Sequence, residues 1–156
     1  MKSGDIIIVH SNTIAGRIIR WVTNSWASHI AVYIGDGFVF EARPGGAKAV
    51  PLSNYEGKNW RYKVYRLQID DELMFKFMFA LMQKQCVGYD YGQIISILLF
   101  RLLHIDLRAQ NRRLAICSEI IYQAAQEVGI PVPPVTQAYI TPGDFLTWSI
   151  AKPVQE

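Results

Sequence analysis

The sequence predicts an α+β fold, a small antiparallel sheet packed against helices, in one domain covering residues 1–156. Three observations carry this. Strand-like runs crowd the first 67 residues, and Gly35-Asp36-Gly37 joins two of them as a hairpin. Apolar residues recur at helical spacing over 14–22 and 120–128. Of the 156 residues 51% are hydrophobic, enough for a substantial core and far from a disordered composition.

In order, Gly4-Asp5 is a turn and Ile6-Ile7-Ile8-Val9 a fully buried strand. Ser11-Asn12-Thr13 offers helix caps, and behind it Ile14, Ile18, Ile19 and Val22 form an apolar stripe on a helix that ends near Thr23-Asn24-Ser25. His29 opens the next strand, Ile30 to Ile34; the chain returns as Phe38 to Ala42. Centring the hairpin on its turn sets Ile34 opposite about Phe38, so His29 falls near Arg43 and diagonal to Glu41. Diagonal neighbours are ~7–8 Å apart, within reach of long side chains.

Lys48 to Leu52 reads as a short edge strand, which Pro51 suits, and Arg61 to Leu67 as a strand with one wet face. Asp70-Asp71-Glu72 puts acids at the start of a helix through about Gln85, where they complement its dipole. Gly88 to Gly92 breaks it, and Ile94 to Leu103 reads as a further buried helix. A basic linker leads to Cys117 and its helix, which Gly129 and Pro131 stop. Thr141 to Leu146 forms a last helical turn.

A net charge of +3, widely scattered, argues against nucleic acid as a partner. Arg108, Arg112 and Arg113 form the one basic cluster. Its ordinary role is a solvated loop, its other role a contact for an anionic substrate or membrane surface. Ile94–Leu103 is far shorter than the ~20 residues of a membrane span. Cys86 and Cys117 follow no metal-ligand spacing and make no disulfide framework. No metal or cofactor is expected, because a cysteine–histidine site needs none. The start of the chain lacks signal-peptide features, and a reducing, cytoplasmic setting is the expectation. Oligomeric state is left open.

Cys117 stands just before the pattern Ile120, Ile121, Ala124, Ala125, Val128, hence at a helix N-terminus. Unpaired N–H groups and the dipole there favour thiolate, the nucleophilic form. A free cysteine is more often a small buried hydrophobe. Catalysis also needs a base, and a third group to fix the base's tautomer. His29, at the mouth of a strand, is the candidate base, although one histidine alone is more often structural. His10 and His104 show no evident partner. Glu41 is the candidate orienter, because a carboxylate between Phe40 and Ala42 is seldom buried unpaired.

The segments Gly4-Asp5-Ile6-Ile7, Ser28-His29-Ile30-Ala31-Val32, Val39-Phe40-Glu41-Ala42, Tyr89-Asp90-Tyr91 and Cys117-Ser118-Glu119-Ile120-Ile121 resemble, in this order, the YiiX/YebB-like proteins. These are circularly permuted members of the NlpC-type papain-fold superfamily. Thr141 to Leu146 is similar to that family's closing Pro-x-Asp-x-Leu element. The resemblance implies a permuted papain-like fold with Cys117 as nucleophile, His29 as base and Glu41 as the third polar residue. It implies a substrate-side role for Tyr89, since Tyr89-Asp90-Tyr91-Gly92 is similar to the Tyr-x-Trp-Gly of unpermuted relatives; core packing is the plainer role. One departure is Ile116, where family members often carry an aromatic residue. The activity implied is hydrolysis of a small peptide or amide, often of bacterial cell-wall type. The alternatives are lipid acyl transfer of the lecithin:retinol acyltransferase type and a non-catalytic binding module on the same frame.

Overall fold

The computed structural model describes residues 1–43, 46–84, 88–89, 114–115, 117–135 and 140–154. Its centre is a six-stranded antiparallel sheet of β1 (Ile6–Ser11), β2 (His29–Gly35), β3 (Phe38–Arg43), β4 (Gly46–Pro51), β5 (Trp60–Leu67) and β8 (Ala151–Pro153), in the order β4-β3-β2-β1-β5-β8. A separate parallel pair joins β6 (Gly88–Tyr89) to β7 (Leu114–Ala115). Among the described residues the helices are α1 (Ile14–Thr23), α2 (Asp71–Met82) and α3 (Cys117–Glu127).

β1 is central, and its apolar run is buried on both faces. Ile6 and Ile8, with Ile30, Val32 and Phe40, face α2 and α3. Ile7 and Val9 face a second cluster of Ala31, Val39, Val50 and Tyr55. β4 is the edge strand expected from Pro51. β8 is an addition to the reading above: three residues are too few to show a period, and pairing with β5 defines them.

The hairpin turn is tighter than centring on Gly35-Asp36-Gly37 implies. Gly35 pairs with Phe38, and the two-residue loop Asp36-Gly37 has φ of 49° and 76°, the left-handed pair that such loops require. A bulge at Ile34 absorbs one residue, and from Val32 opposite Phe40 the expected register resumes. Continued along β2 and β3, that register puts His29 opposite Arg43 and diagonal to Glu41.

Thr13 caps α1 by accepting from Gly16 N at 3.2 Å, and Asn24 closes it in the left-handed conformation. The apolar stripe faces only partly inward: Val22 is buried, while Ile14 is 80% and Ile18 46% exposed. The packing face is instead small. A methyl group on Gly16 would stand 2.6 Å from Ser11 Cβ, so close approach to the sheet turns Gly16 and Thr23 inward and Ile14 outward. Asp70 caps α2, accepting from Leu73 N at 2.8 Å. α3 buries Ile120, Ile121, Ala124 and Ala125 as its periodicity predicts, and ends where Gly129 takes φ 79°.

Among the described residues no helix is long and apolar enough to cross a membrane. Ile94–Leu103, the Arg108–Arg113 cluster, Cys86 and His104 lie outside the described residues.

Candidate active site

His29 is the first residue of β2, where the strand emerges from the sheet. Its side chain is 14% exposed, and its Nε2 lies 2.6 Å from Glu41 Oε2. Cys117, at the head of the helix packed against β2, is the neighbour whose charge and hydrogen bond act most strongly on the ring. Burial by itself pushes the imidazole down. The charge and hydrogen bond of Cys117, then those of Glu41, outweigh it and raise His29 from 6.5 to about 9.

Cys117 is the first residue of α3, is buried, and is a free thiol. α3 packs against β2 and β3, which carry His29 and Glu41. Its first turn is pinned from the far end of the chain, where buried Ser118 donates to Ile140 O at 2.9 Å. The following turn is closed by Asp144, which accepts from Thr141 N at 2.7 Å and from Thr141 Oγ1 at 2.8 Å. The closing Pro142-x-Asp144-x-Leu146 element thus buttresses the helix that carries the cysteine.

Glu41 is 2% exposed. A buried carboxylate is costly unless paired, and this one has three partners: His29, the Tyr55 hydroxyl, which donates to Oε2, and Arg43, whose Nε lies 2.5 Å from Oε1. Burial raises its pKa; the hydrogen bond and charge of His29, then Tyr55 and Arg43, more than reverse this and hold it below the usual carboxylate value. Burial and the Glu41 charge push the Tyr55 phenol well above its ordinary value, so it remains a donor. Tyr55 packs edge-on against Trp60 with ring centroids 5.5 Å apart, and the Arg43 guanidinium sits 5.1 Å from the Tyr55 centroid.

The structure therefore brings His29 to Glu41, and packs the helix that begins with Cys117 against the two strands that carry them. Tyr55 and Arg43 are additions to the residues singled out from sequence. Arg43 carries a weak signal, two residues after Glu41 and so on the same strand face. Tyr55 carries none, because it ends a 3-10 turn (Leu52–Tyr55) whose approach to Glu41 is made by the fold. The Tyr89 backbone pairs with Ala115, two residues before Cys117; its side chain lies outside the described residues. His10, expected to lack a partner, has several: Trp26 O at 3.0 Å, Asn12 Oδ1 at 3.1 Å and Arg20 Nη1 at 3.2 Å.

A cysteine heading a helix, set against a sheet-borne histidine that precedes it in the chain, is the arrangement of circularly permuted papain-like proteins. The family model described as "Permuted papain-like amidase enzyme, YaeF/YiiX, C92 family" matches residues 1–141, and the chain belongs to this family. Its fold is similar to the crystal structure of the metalloprotein yiiX from Escherichia coli O157:H7, with TM-score 0.74 and 18% identity over 99% of this chain and 97% of that one. No curated protein matches the chain.

Proposed function

We propose that the chain is a cysteine-dependent amide hydrolase that cleaves small peptides or amides of cell-wall type through an acyl-enzyme on Cys117. The supporting observation is an imidazole, His29, held by a buried carboxylate with three partners, on a strand against which the cysteine-headed helix packs. Membership of an amidase family supports the reaction class.

With Nε2 committed to Glu41, Nδ1 is the nitrogen that exchanges a proton with Cys117. The thiolate attacks the amide carbonyl carbon. Backbone N–H groups at the start of α3 receive the oxyanion, each such donor being worth ~3 kcal/mol. Imidazolium gives its proton to the leaving amine as the C–N bond breaks. Neutral His29 then takes a proton from water, whose oxygen attacks the thioester, and the acid and thiolate are released. Glu41 keeps the ring in the tautomer and orientation that both halves need.

The yiiX protein is described as a metalloprotein. Among the described residues here, no three His, Cys, Asp or Glu side chains converge as metal ligands. The steps above draw on the protein's own groups.

Intact-mass spectrometry with cell-wall peptides and simple peptide amides tests the reading. A transient acyl adduct mapping to Cys117, and turnover abolished in a folded Cys117→Ala protein, are expected. Undiminished turnover by Cys117→Ala refutes it.

A further inference from the structure

We infer that the outward face of α1 is a docking surface for an anionic lipid bilayer. Ile14, Ile18 and Trp21 stand at i, i+4 and i+7 on one stripe and are 80%, 46% and 63% exposed. Single exposed apolar residues need no explanation, but an aligned stripe of two isoleucines and a tryptophan marks a binding surface. Arg17 lies on the same exposed side of the helix.

The charge around the stripe selects the occupant. From Ile6 to Gly35 the chain has no Asp or Glu. Contacts run from Arg20 of α1 through His10 and Trp26 to Lys63 on the sheet. Arg20 meets His10 at 3.2 Å, the His10 ring lies tilted against Trp26 at 5.1 Å between centroids, and Lys63 lies 4.8 Å over the Trp26 ring. Apolar side chains with a tryptophan, beside Arg17 and Arg20 on a helix that carries no acidic residue, match the boundary between acyl chains and anionic headgroups. A second copy of this chain fits poorly, because pairing two such faces opposes Arg17 and Arg20 to their own counterparts. The other exposed pair, Phe75 and Phe79, differs in this respect: its helix carries Asp71 and Glu72, and its Lys76 is paired to Glu72 at 2.6 Å.

The surface adjoins the candidate active site. Ser11, two residues before the α1 cap, donates its N–H at 2.8 Å to Ser28 Oγ, and Ser28 precedes His29. That bond ties the segment leading into α1 to the end of β2 that carries His29.

Co-sedimentation of the full chain with vesicles of equal phosphatidylglycerol and phosphatidylcholine, and with phosphatidylcholine alone, tests this. The expected result is binding to the anionic vesicles that weakens with salt and is weak on the neutral ones. The double variant Ile14→Ser, Trp21→Ala should lower the partition coefficient about ten-fold or more, and Arg17→Gln about five-fold at low salt. Arg17→Gln alone decides the matter if the double variant melts early. A wild-type protein that stays in the supernatant, or variants that sediment like it, overturn the inference. So does self-association in light scattering that the double variant abolishes, since the stripe is then covered by a second copy.

Discussion

His29 Nε2 and Glu41 Oε2 meet at 2.6 Å across neighbouring strands, and Cys117 heads the helix packed against those strands. The contact rests on a bulge. Without the extra residue at Ile34, the tight Asp36-Gly37 turn would shift β2 by one position against β3 and move His29 to the other face. The charge state of His29 depends on both neighbours, so each can be removed in turn.

Cys117 is the foremost group raising His29 against burial. The Cys117→Ala protein should therefore show His29 titrating well below the wild-type value of about 9 in an NMR pH titration of the imidazole protons. An unchanged titration would mean that the sulfur and ring do not interact.

The same shift makes a prediction for stability. The folded pKa of about 9 exceeds the unfolded 6.5, so the folded state retains a proton that the unfolded state releases. The His29 contribution is fully present below pH 6.5 and is lost as pH rises through about 9. Urea midpoints should fall over this window in wild type, and fall less in His29→Ala. Glu41 has the opposite sign: its pKa is lowered from 4.5, so its contribution is present above that pH and is lost as pH falls through the lowered value.

Removing Glu41 takes the shared acceptor from a buried histidine and phenol and from the partly exposed Arg43 guanidinium. Glu41→Ala should cost ~3–5 kcal/mol in urea unfolding. Tyr55→Phe deletes one hydrogen bond to a charged group and should cost ~1.5–3 kcal/mol. A loss below ~1 kcal/mol in both would show that the carboxylate is not held as described.

Gly16→Ala should destabilise the protein although alanine is the better helix former by ~1 kcal/mol. The new methyl would stand 2.6 Å from Ser11 Cβ and 2.7 Å from Ser11 O, and overpacking of this kind costs ~1–3 kcal/mol. Thermal melts compare the two proteins; a higher Tm in the variant contradicts the close packing of α1.

Periodicity carried the reading furthest where one face of an element does one job. α3 and β1 bury the residues their spacing predicts. Centring the hairpin on its turn brought His29 and Glu41 together because the bulge at Ile34, which the sequence does not signal, restores the register that centring gives. α1 differs because small residues, not large ones, decide which side packs, and spacing cannot tell a stripe that seeks the core from one left outside. Tyr55 was silent because its partner lies on another strand. β8 was silent because its three residues take their form from β5.

The central claim is that His29 activates Cys117. Its most direct test is the rate of Cys117 alkylation by iodoacetamide against pH, in a Cys86→Ser background, with His29 intact or replaced by alanine. The account predicts that the intact protein reacts readily below pH 7 and that His29→Ala loses this acidic reactivity. Identical pH profiles for the two proteins would contradict it.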